Sequence, residues 1–435
     1  LSANTEGTEN TAMGMNSMLA TTTGDYNTAV GSNALATNTT SDSNTAIGRY
    51  ALNANTDGTQ NTAIGYNAGL VTTTGSYNIA VGGLTLDANT TGGSNAAVGY
   101  SALGANTTGG SNTAVGINSL DAATTASYNT AVGYDSLGVT TTGAFNVAAG
   151  ALALDANTEG ANNVAVGYSA LGASTTASNN TAVGYNAVDA CTTGTPNSGF
   201  GFNALGAVTT GVQNDAHGHG AGGAITTGNY NVAMGMNAGA TATTVNNNTS
   251  IGAWANYAAT AAGNTAIGAF VMDAASFSGA NNTAVGSGAA SVMTTGASNV
   301  AVGATALDAN TTASNVVGIG YGALGANTTA NNGVGVGYNA LTVNTTGASN
   351  TAVGAFALDA NTTGAQNTAV GLEAGTAITT GTYNDFFGFR AGDLTTTASN
   401  NVGIGSNSLG ANTASNNTAV GTNSLVANTT GTENV

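Results

Sequence analysis

His217 and His219 are the side chains of this sequence best suited to metal binding or proton transfer, and they are its only histidines. They lie two residues apart, and residues two apart on a strand point to the same side. A zinc site needs more ligands, however, and no cysteine or third histidine lies at ligand spacing. We therefore predict no enzyme, no catalytic residue, no cofactor and no metal. His217 and His219 remain weak metal candidates, and we favour a tolerated substitution at His217, where other repeats have Val or Ile.

A column of aspartates is the second group that could do chemistry. Five residues after a recurring glycine, aspartate and glycine alternate from one repeat to the next as Asp87, Gly104, Asp121, Gly138, Asp155, Gly172, Asp189 and Gly206. Stacked like charges repel, and alternation doubles their spacing. A calcium ion needs six or more clustered oxygens. We therefore interpret the column as a solvated face in which repulsion is limited.

These side chains are positioned by a repeat that runs along almost the whole sequence. The motif Asn-Thr-Ala-Val-Gly, or a close variant, ends on a glycine, here called the marker glycine, which recurs every 17 residues from Gly14 onwards. Intervals of 16 and 18 residues interrupt the period around 253–286. A short fixed period indicates stacked equivalent units. We predict a single continuous repeat array over 1–435, with irregular coils around 253–286.

Each repeat contains the pattern of a short strand. A branched apolar residue precedes the marker glycine, as at Val30, Ile47 and Ile64, and a small residue such as Ala29 stands one position earlier. Neighbours in a strand point to opposite faces, so one face is bulky and the other is nearly bare. A bare face suits either a thin coil interior or a seam between chains.

A leucine column predicts a second strand in each repeat. Four residues after the marker glycine stand, among others, Leu35, Leu52, Leu86 and Leu103. The two strands would cover roughly 28–30 and 34–36. Glycine and asparagine recur inside every unit, and threonine and valine outnumber glutamate and lysine, which argues against helices. The predicted fold class is all-β, a parallel β-solenoid or β-roll of about 25 coils.

Asparagines form a column of their own, four positions before the marker glycine. The column includes Asn27, Asn44, Asn61, Asn78, Asn95, Asn112 and Asn129, and a second column includes Asn38, Asn55, Asn89 and Asn106. Stacked asparagines can bond to one another along an axis. We predict structural ladders. In the Thr-Thr-Gly segment that follows the second column, as at Gly92, we expect a turn with glycine at positive φ.

Composition limits the partners. Lys and Arg number 2 against 19 Asp and Glu, which gives a formal net charge of −17. Nothing can neutralise phosphates, so we predict no nucleic-acid partner, and no apolar run is long enough for membrane insertion. The first residues do not resemble an export signal, and the sequence begins and ends within a repeat. We expect it to be the ordered shaft of a longer polypeptide.

The units Asn129–Leu137 and Asn44–Gly48 resemble the Ser-Val-Ala-Ile-Gly repeats of trimeric autotransporter adhesin heads of the YadA type. They are also similar to Asn-Thr-Ala-Val-Gly arrays of phage tail fibres that end in an intramolecular chaperone domain. The resemblance implies a left-handed β-roll, a homotrimeric fibre and binding to host surfaces. The unit of 17 residues is longer than the adhesin coil, and no stalk or membrane anchor is present.

Two functions follow from these observations. The first is a non-enzymatic structural and adhesive shaft of an extracellular fibre, on a virion or a cell surface, that self-associates as a trimer or filament and presents a tip to a cell-surface glycan or protein. The alternative is an ice-binding or other flat-surface-binding β-solenoid. Trp254 and Tyr257, in the irregular coils, are the best contact candidates because aromatic residues anchor interfaces. Packing repair around altered turns is the other interpretation, and the one we favour.

Overall fold

The computed structural model describes residues 2–435, which form two compact units, 2–216 and 217–435. Within the described residues there are twenty-five strands and no helix, and consequently no helix that could cross a membrane. The strands are β1 (Thr11–Met13), β2 (Thr28–Val30), β3 (Thr45–Ile47), β4 (Thr62–Ile64), β5 (Ile79–Val81), β6 (Ala96–Val98), β7 (Thr113–Val115), β8 (Thr130–Val132), β9 (Val147–Ala149), β10 (Val164–Val166), β11 (Thr181–Val183), β12 (Asn197–Phe200), β13 (Asn214–His217), β14 (Val232–Met234), β15 (Thr249–Ile251), β16 (Thr265–Ile267), β17 (Thr283–Val285), β18 (Val300–Val302), β19 (Val317–Ile319), β20 (Val334–Val336), β21 (Thr351–Val353), β22 (Thr368–Val370), β23 (Asp385–Phe387), β24 (Val402–Ile404) and β25 (Thr418–Val420).

From β1 to β12 and from β14 to β25 the strands pair in parallel, each with the strand of the next repeat. In the first unit Thr28 lies opposite Thr45, and Ala29 lies opposite Ala46. Hydrogen bonds between coils continue outside the strands, since the Leu35 N–H donates to the Ala51 carbonyl at 2.9 Å. Each unit is therefore a parallel β-solenoid with one coil per 17-residue repeat, which confirms that part of the predicted fold. The continuity of one array over 1–435 stays a prediction.

The second strand predicted in each repeat is wrong. Residues 34–36 lie in a turn, because Asn33 and Leu35 adopt φ angles of 59° and 52°. Left-handed residues that alternate with right-handed ones cannot form an extended strand. The leucine column nevertheless turns inward, and Leu35, Leu52, Leu86 and Leu103 are all buried.

The bare face of the strand forms the coil interior. Ala29, Ala46 and Ala63 have no exposed surface, whereas Ile47 and Ile64 on the other face are partly exposed. Of the two arrangements that the sequence allows, the thin interior is the one present within the chain. The bulky face points away from the coil.

Glycine is required at the marker position by both conformation and contact. Gly82 has a φ of +137°, and a Cβ atom there would collide with the carbonyl oxygen of Gly99 in the next coil. The prediction of a positive φ in the Thr-Thr-Gly turn is wrong, since Gly92 does not have one. A Cβ at Gly92 would instead collide with the Gly109 carbonyl oxygen, so close stacking excludes a side chain there.

The interior keeps its volume when the leucine is lost. Gly375 takes the leucine position of its coil, and Ile378 and Phe386 fill the space beside it, with side-chain atoms 3.3 Å and 3.2 Å from where its Cβ would lie. Phe386 also takes a position that is alanine in most strands, and it is fully buried. Dense packing is therefore maintained by exchange between neighbouring positions.

Candidate functional site

The first asparagine column is an unbroken internal ladder in the first unit, whereas Val316 and Gly333 interrupt it in the second unit. The backbone N–H of Asn44 donates to Asn27 Oδ1 at 2.9 Å, and its own Nδ2 donates to the Gly58 carbonyl at 2.9 Å. The same pair of bonds recurs at Asn61, which bonds to Asn44 Oδ1 and to the Gly75 carbonyl. Asn78, Asn95, Asn112 and Asn129 continue the column and are buried. Because these amides bond within the chain and are shielded from solvent, the column holds neighbouring coils together.

The second asparagine column is interrupted by other residues. Asn106 Nδ2 donates to Asn89 Oδ1 at 2.9 Å, but Asn106 Oδ1 has no partner because the next coil carries Ala123 at this position. Asn38 and Asn55 belong to the same column and are buried. Unlike the first ladder, this one leaves acceptors unpaired inside the solenoid.

Cys191 occupies one position of this second column. Its Sγ donates to the Gly194 carbonyl at 3.2 Å, which replaces the asparagine amide bond. Burial raises the pKa of the thiol to about 11. Thiolates are the reactive form of cysteine, so Cys191 is a packing residue and a poor nucleophile.

The outward face of the strands exposes a row of apolar side chains in the first unit. Val30, Ile47 and Ile64 lie on it, and the exposed fraction reaches 40% at Val98 and 42% at Val132. The second outward position is Thr in most of these strands and Ile, Ala, Val or Ser in the others. We call these two columns, from β1 to β12, the strand face. Apolar side chains stand at the position before the marker glycine in all twelve strands, are branched in most of them, and form a row of partly exposed apolar surface.

Aromatic rings extend this apolar surface next to the marker glycine. Tyr168, Tyr185 and Phe202 come directly after it in successive coils, and their ring centroids are 5.3 Å apart in near-parallel stacks. Each ring is about half exposed. Since the stacked faces cover one another, the ring edges point outward, and this geometry does not favour stacking on a flat ligand.

Charge is excluded from the strand face. No outward strand position between Thr11 and Phe200 carries an ionisable side chain, although the chain has 19 carboxylates. In the described strands the exceptions begin with Asp215 and His217 of β13. The carboxylates of the first unit otherwise lie in turns, so the face is apolar and uncharged.

The aspartate column has a steric basis that the spacing alone did not reveal. A Cβ atom at Gly104 would lie 2.6 Å from Asp121 Oδ1, and a Cβ atom at Gly172 would lie 2.6 Å from Asp189 Oδ1. The carboxylate thus occupies the room left by the glycine one coil earlier. Asp121 and Asp155 line an open cleft with Asp135. Burial is the main cause that raises the pKa of Asp121 and Asp155, and the Asp135 charge adds to it.

His217 and His219 are not neighbours on one strand. β13 ends at His217, and His219 lies in the turn beyond Gly218, whose φ is +136°. Both imidazoles are exposed. Among residues 2–435, no group of three or more His, Cys, Asp or Glu side chains is placed to hold a metal ion.

Trp254 and Tyr257 contact each other in the irregular coils. Their ring centroids are 4.7 Å apart with the planes tilted by 47°, and both residues are half-buried. Met272 and Phe277 of the same region are fully buried, whereas Phe270 is mostly exposed. Met272 and Phe277 therefore belong to the interior, whereas the rings of Trp254, Tyr257 and Phe270 are at least partly at the surface.

The comparisons with known proteins leave the resemblance to fibre repeats as an expectation. No protein-family model matches the chain, and no curated protein is significantly similar to it. The strand face is uncharged, and its apolar column is suited to contact with another apolar surface.

Proposed function

We propose that the chain is a non-enzymatic shaft of an extracellular fibre, of the phage tail-fibre or cell-surface adhesin type, that spaces and presents a binding tip. In this proposal each chain is a left-handed solenoid, and copies of the chain associate as a homotrimer through the strand face. The observation that carries it is the partly exposed, uncharged row of apolar residues, most of them branched, on β1 to β12. A tip beyond this shaft would bind a cell-surface glycan or protein.

The area of the strand face supports self-association. Twelve paired strands at about 4.8 Å spacing give a surface roughly 50 Å long. The position after the marker glycine adds aromatic rings at Tyr66, Tyr100, Tyr134, Tyr168, Tyr185 and Phe202, and one cation at Arg49. With these residues the surface covers roughly 700 Å², close to the ~800 Å² per partner of a stable protein interface. An exposed apolar surface of this size commonly marks an interaction site.

Charge favours the same contact. Copies of a chain with a formal charge of −17 repel one another, and the repulsion is smallest where no carboxylate lies. Asp87, Asp121 and Asp155 lie in turns away from the outward strand positions. A seam along the strand face therefore brings apolar surfaces together and keeps the carboxylates in water.

Light scattering of the native chain tests this proposal, and we expect a mass of three chains. The double variant Val115→Lys and Val132→Lys places charges on the face without entering the coil interior, and its mass should fall to that of one chain. Thr108→Lys with Thr125→Lys is the matched control, because both threonines are exposed in turns. A native mass of one chain, or a face variant that remains associated, contradicts the proposed seam.

Outward threonines favour a second candidate, binding to ice or another periodic surface. Thr28, Thr45 and Thr62 lie on the strand face, but Ile79 and Ala96 replace threonine in β5 and β6. A lattice requires regular spacing, so we rank this function below the shaft. Thermal hysteresis of a dilute solution separates the two, and the shaft predicts none.

A further inference from the structure

One coil of the second unit lacks a bulky side chain at both of its usual interior positions. Four and seven residues after the marker glycine Gly235 stand Gly239 and Ala242. The preceding coil has Gly222 and Ile225 at these positions, so there an isoleucine fills the interior. The Gly239 coil has no such replacement. A cavity results, which is lined by Ile225, Ala242 and Gly239 together with Ser250 and Asn256. The centre of a water molecule can occupy about 10 Å³ of this cavity.

Two polar residues line this cavity at positions that carry apolar residues in most other coils. Asn256 takes a leucine position and is 1% exposed, and neither its Oδ1 nor its Nδ2 has a partner in the protein. Ser250 takes an alanine position and is 2% exposed. Its Oγ lies 3.5 Å from the point where a Cβ on Gly239 would be, so the hydroxyl borders the missing side chain. A buried amide without hydrogen bonds is strongly unfavourable.

We propose that one structural water molecule occupies this cavity and hydrogen-bonds to the Asn256 amide and the Ser250 hydroxyl. The cavity has the size of a single water, and such sites need two to four polar partners. An apolar cavity of this kind would stay dry, but the two polar substitutions adjoin the same cavity. The water replaces both the missing leucine and the hydrogen bonds that Asn256 lacks.

The direct test is an experimental map of the native chain at a resolution that shows ordered water. We expect a density peak within hydrogen-bonding distance of the Asn256 amide and Ser250 Oγ. A clear map without a peak in this cavity overturns the proposal. This measurement needs no variant and does not depend on the proposed function.

A thermodynamic cycle gives an independent test. Gly239→Ala adds a methyl group beside Ser250, which expels the water and should lower the melting temperature. In a background of Ser250→Ala and Asn256→Leu, which restores the usual interior residues, the same change fills apolar space and should lower it much less or raise it. The cost of alanine at the Gly239 φ of +56° is the same in both backgrounds and cancels. Equal shifts in the two backgrounds overturn the water site.

Discussion

The coils over 99–171 and the coils over 235–293 share one backbone plan but fill their interiors differently. The first group places leucine four residues after the marker glycine, as at Leu103 and Leu137. The second group has Gly239, Asn256 and Ala290 at the same position. The backbone plan is therefore independent of any one interior side chain. What the coils share is the strand, the marker glycine and the asparagine ladder.

The irregular coils keep these shared features despite their altered length. Thr249 lies opposite Thr265, and Thr265 lies opposite Thr283, although the intervals are 16 and 18 residues. The marker glycines Gly252 and Gly268 have φ angles of +127° and +130°, as in regular coils. The missing and the added residue are absorbed in the turns, where the stacking of strands does not constrain the chain length.

The strongest test of the shared plan is a marker glycine in each region. Gly82→Ala and Gly252→Ala both force a Cβ against the carbonyl of the next coil at a positive φ. We expect each to cost roughly 4 kcal/mol of stability, because backbone on both sides must move. Calorimetric melting of the purified variants measures the loss.

Gly83→Ala is the matched control for this experiment. Its Cβ would make ordinary contacts, with the Tyr100 ring at 3.6 Å and the Tyr66 carbonyl oxygen at 3.9 Å, and its φ is not positive, so we expect a change within about 0.5 kcal/mol. If Gly82→Ala were as mild as Gly83→Ala, the marker glycine would not be what the two regions have in common.

The next largest effect tests whether the bulky side chain of a coil can stand at either of its two interior positions. Ala290 and Met293 stand where the following coil has Leu307 and Asn310, and all four are buried. Ala290→Leu alone overfills the coil and Met293→Asn alone empties it, so each should cost about 2 kcal/mol. The double variant restores the regular pair and should cost less than about 1 kcal/mol. If the stability losses of the two single variants simply add in the double variant, the interior of the irregular coil does not arise by exchange of volume between positions 290 and 293.

Much of the fold follows from the repeat itself. The period of 17 and the branched residues before the marker glycine predicted the solenoid, and the predicted strand at 28–30 coincides with β2. The second strand was wrong because Leu35 adopts a left-handed φ, which is rare for leucine, so the apolar pattern could not indicate it. The reason for glycine at Gly92 lies in the next coil, and a single repeat does not contain that information.

The candidate surface could be predicted only in part. The columns of Val30 and Ala29 were evident, but both a thin interior and a seam fitted the alanine side. Only the inward leucine and asparagine columns, packed in three dimensions, decide that Ala29 is inside. The room that Gly104 leaves for Asp121 is likewise a contact between coils. In the sequence, only the alternation of aspartate and glycine indicated this contact.

A smaller effect distinguishes the first asparagine ladder, which is unbroken in the first unit, from the second ladder, which is interrupted there. Ala123→Asn should supply an Nδ2 donor to the unpaired Asn106 Oδ1 and to the Ala126 carbonyl, as Asn310 does with Ala313. We expect a gain of about 1 kcal/mol, the net value of a buried hydrogen bond. Ala123→Val, which adds bulk without a donor, is the control. Equal melting temperatures for the two variants would count against the ladder as the source of the gain.

The smallest effect concerns charge and should be the same in regular and irregular coils. Burial raises the pKa of Asp121, and it also raises the pKa of Asp273 in the 18-residue interval. A raised pKa in the folded state means that the protonated carboxyl favours folding, so its contribution is complete below 3.8 and is lost as pH rises through the folded pKa. Asp121→Asn and Asp273→Asn should therefore raise the melting temperature at pH 7 relative to the native chain. The gain should vanish well below pH 3.8, where the carboxyl group is protonated in both the folded and the unfolded native chain. A gain that persists in acid would assign the effect to packing of the amide, and a gain in one region alone would show that the aspartates of the two regions have different surroundings.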